Sequence, residues 1–225
     1  MTSTHTRCTN RAFQLAALLA LAGATTVQAQ LPEKFTIRSA LSAPFPTELV
    51  ASPSGAMAWV FDAEGVRNVW VAQPPSYTSR PVTPYSSDVG LEIGGPEWIP
   101  DGSGLVFVRG EGTNDKGEHP NPTLDPKGTQ QVVMVVNADG TGLREIGEGS
   151  SPTVSPDSKS VVFLRKGLPW IASLRDTAQP QRLFITRGRV GNLRWSPDGT
   201  ALAFVSGRGD HSFVGVYDLS ARRLA

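Results

Sequence analysis

One short phrase is written four times along this chain, and the repetition restricts the possible folds more than any other feature. The copies are VASPSGAMAWVF (residues 50–61), EWIPDGSGLVFVRG (97–110), TVSPDSKSVVFLRKG (153–167) and RWSPDGTALAFVSGRG (194–209). Each sets a proline turn ahead of an apolar run. In the last copy Ser196, Pro197, Asp198 and Gly199 suit a type I turn, with Ser first, φ fixed by Pro at the second position and Gly accepted at the fourth. A single copy would signal only a hairpin. Pro53, Pro100, Pro156 and Pro197 stand 47, 56 and 41 residues apart, near the roughly 40 to 45 residues of a four-stranded propeller blade.

Each unit reads as up to four strands. In the last, these fall at 193–195, 201–205, 213–217 and from Arg222 onward; in the third, at 152–154, 160–164, 169–173 and 181–186. The first unit pairs 56–61 with 68–72 across DAEG, and the second pairs 105–109 with 131–136 around an insertion at 110–129. Runs such as SVVFL and QVVMVV are apolar on both faces, which suits sheets covered on both sides by neighbouring blades. A two-layer sandwich would show cleaner alternation. With 23 glycines and 18 prolines among 225 residues, the chain is rich in turns and reads as all-β. The fold expected is a partial β-propeller of about four WD-like blades over 30–225, with repeats near 48–85, 96–149, 152–188 and 193–225 and the last unit cut short.

Residues 1–29 differ in kind. Arg7 and Arg11 precede the apolar run AFQLAALLALAGA (12–24), and Val27-Gln28-Ala29 fits a small-residue cleavage site. This predicts a secretory signal peptide cut after Ala29 and export to the periplasm or beyond. The run is too short for a membrane anchor, which takes about 20 apolar residues. Cys8 is the sole cysteine and lies before the run. Cleavage would leave no thiol for a disulfide, a nucleophile or a metal site. Lys and Arg number 21 against 20 Asp and Glu, so no global field recruits nucleic acid or an anionic membrane.

The phrase WSPDGTALAFVS resembles the repeat shared by Tol-system propeller proteins of the periplasm and the N-terminal propellers of the prolyl oligopeptidase family. The longer runs RVGNLRWSPDGTALAFVSGRGDHSFVGVYDL (189–219) and GGPEWIPDGSGLVFVRGEG (94–112), with the start FTIRSALSAPFPTELVASPSG (35–55), are most similar to exported bacterial serine peptidases of the dipeptidyl-peptidase and acylaminoacyl-peptidase type. The resemblance implies a propeller that gates peptide access to an α/β-hydrolase domain carrying the catalytic Ser, Asp and His. No G-x-S-x-G occurs in this sequence, so the turn that presents such a nucleophile is missing. The expectation is therefore the front part of a peptidase's propeller, inactive alone, with peptide as its partner. A Tol-like propeller that binds protein partners without catalysis is the alternative.

Candidate chemistry within the chain is sparse. Asp210-His211-Ser212 holds the three triad residue types, but adjacent strand residues point to opposite faces and do not converge; a hairpin loop is expected. Arg208-Gly209-Asp210 spells an adhesion tripeptide that a turn already explains. The segment 137–142, NADGTG, lacks the ligand pattern of a calcium loop and reads as a hairpin turn. No metal and no cofactor is expected. In the dipeptidyl-peptidase branch, paired glutamates in a propeller insertion hold the substrate's amino terminus, and this chain has no Glu-Glu pair. Its insertion does carry Glu111, Asp115, Glu118 and His119. Loops of this length without strand pattern are functional or disordered more often than structural; a solvated loop is the first reading, and Glu111, Glu118 and His119 are the substrate-contact candidates if it binds.

Overall fold

The computed structural model describes residues 36–224. The expected signal peptide and its cleavage point lie outside the described residues. A short helix α1 (Ile37–Leu41) is capped locally, with Ser39 N–H donating to Thr36 Oγ1 at 3.0 Å and Thr36 N–H to Ser39 Oγ at 2.9 Å. No helix among the described residues is long and apolar enough to cross a membrane.

The remainder is all β, in four antiparallel meanders of four strands. Blade 1 holds β1 (Phe45–Ala51), β2 (Met57–Ala63), β3 (Val66–Ala72) and β4 (Arg80–Pro81); blade 2 holds β5 (Ile93–Trp98), β6 (Gly104–Arg109), β7 (Val132–Asn137) and β8 (Arg144–Glu148). Blade 3 holds β9 (Ser150–Val154), β10 (Ser160–Arg165), β11 (Leu168–Ser173) and β12 (Gln181–Arg182); blade 4 holds β13 (Arg189–Trp195), β14 (Ala201–Gly207), β15 (Ser212–Asp218) and β16 (Arg223–Leu224). The first strands of successive blades lie against one another, β1 on β5, β5 on β9 and β9 on β13, so they form the inner side. This is a β-propeller arrangement.

The core is three interfaces between blades, each made the same way. Blade 1 offers Ala58, Val60, Val69 and Val71 to Trp98, Leu105 and Phe107 of blade 2. Val106, Val133 and Val135 of blade 2 meet Val161 and Phe163 of blade 3, and Val162 of blade 3 meets Leu193, Leu202 and Phe204 of blade 4. Each joint sets aliphatic side chains, mainly β-branched, against a leading face centred on an aromatic ring, and the third adds Phe184, whose ring centre lies 4.6 Å from that of Tyr217. Phe107 and Phe163 are fully buried, a contribution of about 1.5 to 3 kcal/mol each by removal from water. This double covering is why the second strands read as unbroken apolar runs.

The proline turns close as the sequence indicated. Gly55, Gly102, Ser158 and Gly199 donate back to the carbonyls of Ser52, Ile99, Ser155 and Ser196 at 2.8–3.0 Å, and all four have left-handed φ, at 84°, 76°, 60° and 71°. Glycine accepts this conformation freely and other residues do so at a cost of about 1 to 2 kcal/mol. Ser158 is the exception with a visible reason: its Oγ accepts from Asp101 N–H of the neighbouring blade at 3.0 Å.

Two boundaries differ from expectation. The first strands begin at Phe45, Ile93, Ser150 and Arg189, in the third and fourth units earlier than the 152–154 and 193–195 expected, and each contains a bulge. The register slips between Thr47 and Val50, Gly94 and Glu97, Ser150 and Thr153, and Gly191 and Arg194. At each slip one residue is left-handed: Glu48, Gly95, Ser151 and Asn192, at φ of 50–58°. These stand five positions before Pro53, Pro100, Pro156 and Pro197. The extra residue breaks the two-residue alternation, so the regular pattern starts only after it. The fourth strand of blade 3 is also shorter than 181–186, pairing only through Gln181 and Arg182.

Candidate functional site

The two rims of the meanders are built differently. One carries the proline turns. The other carries the second-to-third-strand turns and the links between blades. On this loop rim, blade 1 turns through Glu64-Gly65 and blade 3 through Lys166-Gly167, each with positive φ at both residues (54° and 86°; 52° and 74°), the backbone of a tight type I′ hairpin. Blade 4 uses residues 208–211, closed by Arg208 N–H donating to His211 O at 2.8 Å. Blade 2 carries the insertion.

The insertion is organised by its own side chains. Asn114 Oδ1 accepts from Lys116 and Glu118 N–H at 2.9 and 3.0 Å, and Asn121 Oδ1 accepts from Asp125 N–H at 2.9 Å, making two side-chain-stabilised turns. Gly110 N–H donating to Glu92 O and Gly149 N–H donating to Gln131 O, at 2.8 and 2.9 Å, fasten its base to the blade. A side chain on Gly90 would strike Pro122 at 2.6 Å, so the insertion rests on a glycine that makes room for it.

Between this insertion and blades 3 and 4 lies a hollow of about 570 Å³, lined among others by His119, Gln131, Glu148, Arg165, Lys166 and Arg189. A second of about 400 Å³, reaching Glu92, Glu111 and Ser151, shares Gln131 and Ser150 with it. The first is mainly basic. Arg165 pairs with Glu148 at 3.0 Å and lies 5.1 Å from the Trp170 ring centre, which fixes its guanidinium. A Cβ on Gly167 would come within 3.2 Å of Arg189, so the bare turn lets the Arg189 stem lie across it. The second hollow opens beside an acidic group, where Arg67 bridges Asp62 and Glu92 at 3.1 and 2.8 Å.

Deeper on the inner side, Glu97 of β5 accepts from Val154 N–H of β9 at 3.1 Å. Burial raises its pKa, against the opposing pull of that hydrogen bond and of Arg194 on β13. Its hydrogen bond ties β5 to β9. Tyr85 is likewise raised by burial, with the Arg109 guanidinium 4.1 Å over its ring.

Of the residues singled out from sequence, Glu111 lines the second hollow and His119 the first. His119 Nδ1–H donates to the Glu111 carbonyl at 2.8 Å, linking the two ends of one loop segment. Glu118 faces inward to its own turn, accepting from Asn114 Nδ2 at 3.2 Å. Sequence reading missed Arg165, Lys166 and Arg189. The RKG at 165–167 was visible only as a turn, and nothing local shows that Arg189 lies over it.

In the blade 4 hairpin, His211 Nδ1 stands 2.6 Å from Asp210 Oδ1 and no hydrogen bond joins His211 to Ser212. Both Asp210 and His211 are exposed. Asp210 and His211 lie in the hairpin loop, Ser212 begins β15, and the three do not converge. Residues 137–142 make the β7–β8 turn, with Asp139 Oδ1 accepting from Thr141 N–H at 2.8 Å. No group of three or more His, Cys, Asp or Glu that could hold a metal ion occurs among the described residues.

No family model matches this sequence and no curated protein matches it. The fold is similar to solved structures. Puromycin hydrolase aligns with a TM-score of 0.54 at 19% identity over 81% of this chain and 30% of its own. Oligogalacturonate lyase, in complex with manganese, aligns at 0.56 and 16% identity over 80% of this chain and 52% of its own. TolB from Acinetobacter baumannii aligns at 0.53 and 14% identity over 80% and 43%. The chain spans less than two thirds of each. At these identities the likeness defines the class, a β-propeller of four-stranded blades, and nothing narrower.

Proposed function

We propose that this chain is the propeller part of an exported serine peptidase of the prolyl oligopeptidase type, and that its loop rim receives short extended peptides on their way to a catalytic domain. The observation that carries this reading is the loop rim itself: an ordered insertion bounding two joined hollows, one basic and one flanked by carboxylates. A peptide needs that division. Its backbone carbonyls and free carboxylate suit Arg165, Lys166 and Arg189, while its amino end suits Glu92 and Glu111. The fold's likeness to puromycin hydrolase supports the reading. The chain's own residues bind and orient peptide, and the nucleophile belongs to the catalytic domain.

The test is peptide binding without turnover. An unstructured tetrapeptide with free ends should bind by calorimetry, and Arg189→Ala should weaken it by about tenfold, the loss of one charge-assisted contact. Chromogenic dipeptide substrates should stay intact. Undiminished binding by Arg189→Ala would displace the site, and turnover blocked by a serine-directed reagent would reveal a catalytic centre within these residues. For export, N-terminal sequencing of the mature product should begin at Gln30.

The likeness to TolB supports the alternative, a periplasmic propeller that binds protein partners without catalysis. Genomic DNA beyond the Ala225 codon separates the two. A continuing frame with G-x-S-x-G followed by Asp and His favours the peptidase, and a stop after a few more blades favours the binding module.

A further inference from the structure

Six positions before each turn proline one first-strand residue stands at the same register: Thr47, Gly94, Ser150 and Gly191, paired with Val60, Val108, Leu164 and Val205. Blades 1 and 3 carry a side chain there, so the strand and its bulge do not demand glycine. The backbone of Gly94 does not demand it either. Its φ lies outside the left-handed region, and a Cβ built on it meets no atom within 4 Å. Glycine inside a strand weakens it, through the entropy lost on folding and the packing it cannot supply. At Gly94 neither turn geometry nor a close neighbour offsets that cost.

The open space belongs to the second hollow. Gly94 lines it together with its cross-strand partner Val108 and with Ser151 and Pro152 of β9. Paired residues share a sheet face, and Val108 stands two residues along β6 from Val106, which packs on Val161 and Phe163 of blade 3. The position a side chain would take at Gly94 therefore faces blade 3. Its absence leaves a notch at the inner end of a joint that is otherwise packed. Val108 and Pro152 make the notch partly apolar, and Glu92 and Glu111 line the same hollow.

We infer that Gly94 is a specificity-determining residue, its bare Cα leaving room for one bulky apolar side chain, that of a bound peptide's amino-terminal residue. The inference rests on the peptide reading, in which Glu92 and Glu111 hold the amino end. The side chain of that residue starts from the same carbon as the ammonium, so it falls beside the two carboxylates, where Gly94, Val108 and Pro152 form the wall. A hollow of about 400 Å³ has room for a phenyl or branched aliphatic group. A threonine or serine at this register, as in blades 1 and 3, would occupy that room.

The test crosses the size of the ligand with the size of the residue. Two tetrapeptides with free ends, identical except for Phe or Ala at the first position, are titrated by calorimetry into the full chain and into its Gly94→Ala and Gly94→Val variants. The parent should prefer the Phe peptide by roughly tenfold or more, the gain from burying a ring in place of a methyl group. That preference should shrink in Gly94→Ala and vanish in Gly94→Val. Urea midpoints of both variants should match the parent's or rise, because the strand gains a side chain that its backbone admits. A preference that survives Gly94→Val overturns the inference, as does a parent that binds both peptides equally; either result leaves the peptide reading standing. A lowered midpoint in both variants would show that packing reserves the space, and overturns it as well. Binding of neither peptide by the parent overturns the inference and the peptide reading together.

Discussion

At the proline rim, four turns share one closing hydrogen bond, with a left-handed residue at the same place and a hydroxyl or carboxylate bracing it in every copy. Ser155 Oγ and Ser196 Oγ each donate to the Asp two residues on at 2.6 Å, and Ser52 Oγ shares a hydrogen with Ser54 Oγ at 2.8 Å. At the loop rim, four turns hold three different designs: two tight hairpins, a four-residue loop and a long insertion. The proline rim is bound to its neighbours. Asp101 N–H bonds Ser158 across blades, and Trp195 Nε1 donates to the Thr153 carbonyl at 3.2 Å. Turns that must fit a neighbour are constrained to repeat, whereas turns that face solvent are free to diverge, and the divergent rim is where the hollows lie.

The largest expected effect follows from that anchoring. Pro197→Ala with Gly199→Val should lower stability by about 2 kcal/mol, combining lost turn preorganisation with a β-branched residue forced to positive φ. Gly117 in the insertion is also left-handed, at φ 82°, with open space around it. Its local strain on substitution is therefore similar. Gly117→Val with Pro120→Ala should nonetheless cost less than about 0.5 kcal/mol, since a solvent-facing loop can shift without moving a blade. Equal urea midpoints for the two double variants would show that the rims do not differ in coupling.

Ser158 sharpens the same point within one rim. Ser158→Ala keeps the left-handed strain and removes the acceptor for Asp101 N–H, an expected loss of about 1 to 2 kcal/mol. Ser158→Gly loses the acceptor too but relieves the strain, and should be more stable than the alanine variant by about 1 kcal/mol. Equal midpoints for the two would mean that the conformation at Ser158 costs nothing.

Acid should also divide the molecule. Hydrogen bonds from Ser103, Ser155 and Ser196 hold the Asp101, Asp157 and Asp198 carboxyls below their usual range. Depressed acids stabilise the fold above their unfolded value of about 3.9 and lose that contribution as pH falls through the lower folded value. Glu97 acts in the opposite sense. Its raised pKa means the folded state takes up the proton more readily, so stability rises as pH falls through that value toward the unfolded one of about 4.3. Urea midpoints followed downward from neutral pH should rise slightly and then fall. Glu97→Gln should abolish the rise and leave the fall; a rise that persists would place its source elsewhere.

How much of this was legible follows the same division. Spacing and turn chemistry revealed four blades and their hairpins, because Pro197 and Gly199 act through local backbone preferences that any sequence displays. The bulges at Glu48, Gly95, Ser151 and Asn192 were hidden, since a residue forced left-handed by its neighbours on two sides has no signature of its own. The site was legible only as a loop. Glu111 and His119 stood out by residue type within an insertion, whereas Arg189 comes to the hollow from the next blade through the bare Gly167 turn, a juxtaposition made by tertiary packing alone.

The smallest effect is expected at His119, and it tests whether the insertion is a fitted part of the loop rim or a passive tether. The His119 bond to the Glu111 carbonyl joins two exposed stretches and touches no blade core, so His119→Ala should shift the urea midpoint by less than about 0.5 kcal/mol equivalent. Local order is another matter. Without that bond the Asn114 turn loses its tie to the base of the insertion, and amide exchange at Lys116 and Glu118, whose N–H groups bond Asn114 Oδ1, should quicken while exchange in β6 and β7 stays unchanged. Quickening confined to the insertion would show that His119 shapes the wall of the basic hollow independently of the blades. Unchanged exchange at Lys116 and Glu118 would mean that the two asparagine turns hold the insertion by themselves, and would remove His119 from the residues that form the site.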